Sequence, residues 1–419
     1  MPVSLEAPDF WDPIALDNEL RRVFDICQGC RICFKLCPSF ERFFAYIDEQ
    51  DGEVGRLEPA QINNIIDLCY QCKLCYPICP YIPPHRWEVD YPRLMLRAKA
   101  LHIKEHGWPY RQRIISNPEL LGKWGSKTAP LSNWLNSIAW NRQVMHAVIG
   151  IHRERILPQY HRETFVKWFK KRKGLKVKGR GNRKVALFYT CFVNYHAPEI
   201  GRAAVEVLEH NGIEVSCPEQ VCCGMPYLDS GAVGPALKNI NFNLKSLTGA
   251  IAQGHDLIAL GPTCCYMLKK EYPFLLPGED SSTVSAHTYD ICEYLMVKLQ
   301  KEQQLNTRFP QSLGHIAYHF PCHLKVLNIG YKSRDLLQLV PATQIKTIER
   351  CSGMDGTWGM KKEYHRLSLE IAQPLIKEIK DSAFDLVVTD CSLSALQIQQ
   401  LIGSKPIHPI QALHKAYGL

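Results

Sequence analysis

Two cysteine runs of identical spacing constrain this chain more than any other feature. Cys27, Cys30, Cys33 and Cys37 are followed by Pro38, and Cys69, Cys72, Cys75 and Cys79 by Pro80, so C-x2-C-x2-C-x3-C-P occurs twice. Two-residue gaps let three thiolates close around one compact centre. The fourth sulfur, three residues further on and followed by proline, does not fold back easily and reaches a second centre. Any fold open to this sequence must therefore bring two distant stretches of chain face to face.

The spacing is that of bacterial ferredoxins, and two 4Fe-4S clusters are expected on crossed sets of ligands. Cys27, Cys30, Cys33 and Cys79 form one set, and Cys69, Cys72, Cys75 and Cys37 the other. Zinc is the competing metal, but it favours two CxxC pairs without the third step or the terminal Cys-Pro. The runs are separated by residues 38–68, where Pro59 ahead of residues 60–68 reads as a helix start. A helical module is expected, not a strand-rich one.

With 419 residues and 47.9 kDa, two or three domains are expected. Residues 1–11 carry Glu6 and Asp9 and no apolar run, so no export signal is read there. No apolar stretch is long enough for a membrane-spanning helix. In a cytoplasmic chain thiols stay reduced, and the 18 cysteines read as metal ligands before disulfides. The formal charge of +9 is concentrated between Arg142 and Lys184. Each oxidised cluster on four thiolates would contribute about −2, so the charge does not argue for nucleic acid.

The second half of the chain is a duplication. Cys191 matches Cys322, Cys222-Cys223-Gly224-Met225 matches Cys351-Ser352-Gly353-Met354, and Cys264 matches Cys391, all at a nearly constant offset. Short apolar runs at 185–190, 213–217 and 256–261, then at 315–320, 344–349 and 385–390, read as buried parallel strands. Ile200, Ala204, Val207 and Leu208 make one helical face, stopped by Asn211-Gly212. Leu367, Ile371, Leu375 and Ile379 make another, with a kink expected at Pro374. The repeated cysteines fall at or just beyond strand ends, where open α/β sheets bind ligands. The expected fold is a multidomain α+β chain. A helical two-cluster module spans 1–105, a Trp-rich basic helical linker 106–182, and two α/β repeats with parallel sheets 183–310 and 311–419.

The first repeat offers Cys191, Cys222, Cys223 and Cys264, with Cys265 beside the last. The second offers Cys322, Cys351 and Cys391, with Ser352 and Ser394 where further thiols could stand. This pattern resembles the Cys-Cys-Gly domain of heterodisulfide reductase catalytic subunits. The whole plan resembles the iron–sulfur subunits of anaerobic glycerol-3-phosphate dehydrogenase and of glycolate oxidase. Cys222-Cys223-Gly224, Pro321-Cys322-His323, Trp358-Gly359 and Asp390-Cys391 are among the segments that carry it. The resemblance implies an electron-transfer role. Electrons would pass between a flavoprotein dehydrogenase, acting on glycerol 3-phosphate or a hydroxy acid, and quinone or another acceptor. It also implies a further iron–sulfur cluster in the first repeat; for the second, a cluster, zinc or bare thiols stay open.

Two other readings stand beside it. The Cys-Cys-Gly site could itself reduce a disulfide, with Cys222 and Cys223 as the candidate catalytic groups. The chain could instead be a soluble redox partner of a rubrerythrin-like protein. No G-x-G-x-x-G follows a strand, so no flavin or NAD site is read and hydride chemistry falls to a partner. Cys217 and Cys292 read as core residues; His323 reads either as a partner of Cys322 or as a packed side chain. Trp108, Trp124, Trp134, Trp140 and Trp168, beside the basic run at 153–184, suit either a peripheral contact with an anionic membrane or a solvated linker.

Overall fold

The computed structural model describes residues 5–172, 183–381 and 383–419. Its N-terminal part is a helical module built from Pro13–Cys30, Pro38–Asp48, Pro59–Leu68 and Tyr91–His106. Each helix carries proline in its first turn, where the missing N–H costs nothing. Asp12 and Asp90 cap two of them, accepting hydrogen bonds from the first-turn amides. The expected helix at 60–68 is thus Pro59–Leu68. Phe24, Phe43, Phe44, Ile47 and Ile65 are fully buried at the centre of the module. Burying each such side chain contributes about 1.5–3 kcal/mol. The Phe40 and Tyr91 rings stack at 4.5 Å.

The two repeats each wrap a parallel sheet. In the first, β1 (Lys184–Phe188), β2 (Glu214–Ser216), β3 (His255–Ala259) and β4 (Thr288–Asp290) lie in the order β2-β1-β3-β4. In the second, β5 (Gly314–His319), β6 (Thr343–Ile348) and β7 (Leu386–Thr389) lie in the order β6-β5-β7. All pairings within these sheets are parallel. β1 from Val185 and β5 from Ile316 onward are buried, which is why they read as largely apolar runs. Helix Pro198–His210 buries Ile200, Ala204, Val207 and Leu208 as its pattern requires, and helix His365–Lys380 continues past Pro374.

The motif glycines have a backbone reason. Gly224 (φ 98°) and Gly353 (φ 66°) occupy the left-handed region, and a Cβ on Gly353 would run into the Ser368 carbonyl oxygen.

Residues 106–172 form short helices that pack on both repeats. Gly122 lies against the Tyr195 ring and Gly201 against Phe165, neither leaving room for a Cβ. Ile151 bridges to Lys361. The buried Arg155 donates to Gln397, and to Ser368 Oγ at 2.6 Å. The basic run falls partly on residues 173–182, outside the described residues.

Candidate redox site

The first helix ends where the first cysteines begin. Arg31, at φ 53°, turns the chain out of the helix while its N–H still donates to the Cys27 carbonyl at 2.8 Å. Cys27 and Cys30 therefore stand on the last turn, Cys33 follows in the loop, and Cys79 arrives from the end of the short helix Cys75–Ile78. Burial pushes the Cys33 thiol up to about 12, with Cys79 and Cys30 adding to it. Burial raises Cys27 too, reinforced by Cys33, Cys79 and Cys30. The structure thus gathers four thiols, one of them from the other run.

Cys37, Cys69, Cys72 and Cys75 line a small cavity with Tyr70, Gln71, Lys73 and Tyr91. Gln71 and Lys73 both have positive φ (59° and 60°), so the loop that presents Cys69, Cys72 and Cys75 is tightly wound. Gln71 Nε2 lies 3.4 Å from Cys69 Sγ and also donates to the Pro92 carbonyl at 3.2 Å. Lys73 and Glu271 are an ion pair at 3.5 Å with about 1% of either side chain exposed. This buried pair ties the cysteine loop to the first repeat.

The second repeat abuts this cavity. Cys37, Cys72, Cys322 and Cys351 belong to one apolar cluster with Tyr70 and Trp358. The Tyr70 hydroxyl sits 3.4 Å from Cys351 Sγ, and Trp358 Nε1 donates to the Asp67 carbonyl at 3.1 Å. Cys322, Cys351 and Cys391 approach one another: burial drives the Cys322 thiol far up, with Asp355, Cys72, Cys351 and Cys391 adding to it. Ser352 Oγ and Ser394 Oγ, in the positions of two missing thiols, hydrogen-bond each other at 2.9 Å. His323 engages Thr263 Oγ1 (2.8 Å) through Nδ1 and the Gln71 carbonyl (3.1 Å) through Nε2. Cys322, His323 and Asp355 present ligand atoms within 4.8 Å of one another. With both ring nitrogens hydrogen-bonded, His323 joins the module to the repeats as a packed side chain.

In the first repeat Thr190, at φ 57°, delivers Cys191 directly after β1. Cys191, Cys222, Cys223 and Cys264 form a chain of neighbours. Hydrogen bonding with Cys222 and then burial hold the Cys191 thiol far above its ordinary range. Cys223 in turn contacts Cys222 and Cys264. Cys265 is turned away from this group: burial and Asp290 raise it, and Lys269 and Glu293 are its other charged neighbours. Cys292 is fully buried in the core and Cys217 packs against it, as their sequence context suggested.

Four of these thiols (Cys191, Cys222, Cys223 and Cys264) and Cys391 border a cavity of about 320 Å³. Its far wall is apolar and comes from residues 114–158, a segment in which sequence patterning revealed no site. Asp229 also lines it, and the Oδ1 atom of Asp229 is buried without a hydrogen-bond partner among the described residues. No signal in the sequence marked Asp229.

The donor chemistry fits iron–sulfur groups. None of the 18 cysteines is in a disulfide. Buried thiols that raise one another's pKa can be thiolates together only around a cationic centre. Among the described residues, no helix is long and apolar enough to cross a membrane.

Comparison with known proteins matches three segments of the chain to two families. Residues 20–104 match the Citrate utilization protein B Fer4-like domain, and residues 185–269 and 316–399 each match the Cysteine-rich domain. The chain is 32% identical over 400 residues to the C subunit of anaerobic glycerol-3-phosphate dehydrogenase from Escherichia coli (strain K12), covering 94% of this chain and 98% of that one. It is 30% identical to lactate utilization protein A of Geobacillus thermodenitrificans (strain NG80-2), over 56% of this chain and 97% of the relative. It is 28% identical to lactate utilization protein A of Bacillus licheniformis, over 56% of this chain and 97% of the relative.

Proposed function

Because the chain belongs to the iron–sulfur family of the anaerobic glycerol-3-phosphate dehydrogenase C subunit, we propose that it takes electrons from a flavoprotein dehydrogenase and delivers them to quinone at a membrane surface. Cys27, Cys30, Cys33 and Cys79 would hold one 4Fe-4S cluster and Cys37, Cys69, Cys72 and Cys75 the other. Cys191, Cys222, Cys223 and Cys264 would hold a third iron–sulfur group. When bound, these groups supply one-electron steps.

The observation that carries the reading is the unbroken succession of thiols. The crossed set at Cys27 meets the set at Cys37 where Cys33 neighbours Cys75, the latter set abuts Cys351 and Cys322, and Cys391 borders the cavity shared with the first-repeat thiols. The residues of the chain shield the second set of this succession from water. Phe40, Tyr91, Tyr70 and Trp358 exclude water around the second set, and Lys73 compensates buried negative charge beside it. Ile32, Phe34 and Ile78 are exposed around the first set, an apolar face suited to a docking partner. The relatives' names point to dehydrogenation of glycerol 3-phosphate or use of lactate, so the donor is a flavoprotein for a small hydroxylated metabolite.

Membrane contact is supported by Tyr110, Trp124, Trp134 and Trp140, which stand on successive short helices and are 59–75% exposed. Aromatic rings beside Lys123 and Lys127 suit an anionic interface. The test is anaerobic reconstitution with a flavoprotein dehydrogenase for glycerol 3-phosphate and, separately, with one for lactate. With one of them, electrons should pass from substrate through both proteins to a membrane-soluble quinone, and omission of this chain should abolish transfer beyond the flavoprotein. Transfer that proceeds equally without it removes the proposal.

A second reading, disulfide reduction at Cys222 and Cys223, is favoured by one observation: those thiols open onto the cavity. Under it Cys223→Ala abolishes disulfide turnover; unchanged turnover excludes it.

A further inference from the structure

We propose that the part of the 320 Å³ cavity beyond the thiols assigned above to an iron–sulfur group, bounded by its apolar lining and Asp229, receives the headgroup of a lipophilic quinone, with Asp229 hydrogen-bonding one of its carbonyl oxygens. The proposal rests on the electron-transfer reading above and names the place of its acceptor.

Three features of the cavity select this chemistry. Its walls are mainly apolar: Ile114, Leu121, Met145 and Ile149 face the thiol side formed by Cys222 and Cys264. Such walls suit a planar apolar ring and disfavour a charged or peptide-like substrate, whose polar groups would lie unpaired. Second, the lining includes one carboxyl group. Asp229 ends the helix Met225–Asp229 and has an unpartnered buried Oδ1, while Gly356, beside its Oδ2, has no side chain to fill the space. Third, helices Pro118–Lys127 and Leu131–Ser137, which give the lining Leu121 and Asn136, also carry exposed Leu120, Trp124 and Trp134. The cavity therefore shares helices with the surface read as the membrane contact, where a lipid-soluble ligand is concentrated.

The chemistry balances. A quinone takes two electrons and two protons; its two C=O groups become C–OH and two O–H bonds form. Both electrons originate in the reduced flavoprotein. One proton comes from the Asp229 carboxyl, which is refilled from water, and one from water at the cavity mouth. Burial holds the Asp229 carboxyl above the ordinary range. Lys99 from helix Tyr91–His106, Lys73 from the cysteine loop and Lys361 oppose that shift, while Glu271 and Asp355 reinforce the negative surroundings.

The test uses the anaerobically purified holoprotein and a heptyl hydroxyquinoline N-oxide, a fluorescent quinone analogue. Titration should quench the probe saturably at about one site per chain. Leu121→Trp and Ile149→Trp, which fill the cavity from two separate segments of its apolar lining, should each weaken binding at least about tenfold, and Asp229→Asn about three- to tenfold. Iron and sulfide content and the EPR spectrum verify that each variant is intact. Non-saturable quenching overturns the proposal, as does wild-type affinity in both Trp variants. So does an apolar disulfide that displaces the probe and is itself reduced while quinone is not. Failure of the underlying reading is separate: wild-type holoprotein that binds the probe but cannot carry electrons from the reduced flavoprotein to a one-electron dye refutes electron transfer.

Discussion

The hydroxyl of Tyr70 lies 3.4 Å from the sulfur of Cys351, across 281 positions of sequence. Tyr70 sits between two of the ferredoxin-type cysteines, and Cys351 opens the degenerate motif of the second repeat. Their contact places the helical module directly on the repeat. Tyr70→Phe keeps the ring against Trp358 (4.9 Å between centroids) and removes only the polar contact. We expect a loss of about 0.5–1.5 kcal/mol in denaturant unfolding. We also expect a shift in the EPR-monitored midpoint potential of the centre on Cys37, Cys69, Cys72 and Cys75, because hydrogen bonds around the sulfurs tune it. An unchanged potential would assign Tyr70 to packing alone.

Lys73 and Glu271 are each almost fully buried and face each other at 3.5 Å, with Arg93 at 3.6 Å from the second carboxylate oxygen. Burial alone would push Glu271 up, but Lys73 and Arg93 together hold it below its ordinary value. Lys73→Met leaves the carboxylate with the longer Arg93 contact and the neutral Tyr266 hydroxyl. The expected cost is about 3–5 kcal/mol in chemical denaturation. The double variant Lys73→Met/Glu271→Gln should recover much of that loss. Because the folded carboxylate is depressed, its stabilisation is present above the unfolded value and is lost as pH falls through the folded one.

How much of this was legible without the fold can be argued from particular residues. The approach of Cys79 to Cys27, Cys30 and Cys33 was legible in the spacing of the runs at 27–37 and 69–79, because a fourth cysteine three residues on does not fold back easily onto its own run. The central strands β1 and β5 stood out because a parallel strand buried on both faces is apolar almost without interruption. β4 did not, since three residues, Thr288–Asp290, carry no period. The apolar wall of the cavity was invisible for a related reason. Ile114, Leu121, Met145 and Ile149 are scattered over several short helices, none long enough to show a face. Asp229 meets Lys73, Lys99 and Lys361 only through tertiary packing, so nothing near it in sequence marks it.

His408 caps the last helix, Pro409–Tyr417, by accepting the Ile410 N–H on Nδ1 at 3.1 Å. That bond requires the neutral ring, and burial drives its pKa down to about 3. An unfolded histidine titrates at about pH 6.5. The contribution of His408 is therefore complete above about pH 6.5 and declines as pH falls from there towards the folded value. His408→Asn keeps a capping oxygen and removes the titration. Between neutral and mildly acidic pH its denaturant midpoint should fall less than that of the wild type; identical slopes would refute the assignment.

Cys264 and Cys265 are adjacent but face different surroundings, Cys264 the neighbouring thiols and Cys265 Asp290 and Lys269. Cys264→Ala should alter the spectroscopic signature of the first repeat while leaving the ferredoxin-type signals intact. Cys265→Ala should leave all spectra unchanged and cost only about 1–2 kcal/mol of packing. The reverse pattern would mean that the side chains are oppositely disposed.

The account rests on crossed thiol sets in the N-terminal module holding paired clusters, and metal analysis of anaerobically purified wild-type and Cys37→Ser protein addresses it most directly. We expect at least about eight irons and eight sulfides per chain, with one 4Fe-4S signal lost and about four irons fewer in the variant, although Cys37 lies in the first run and its cluster on the second. A colourless protein carrying zinc, or a variant that loses the signal of Cys27, Cys30 and Cys33 in place of the other, would contradict it.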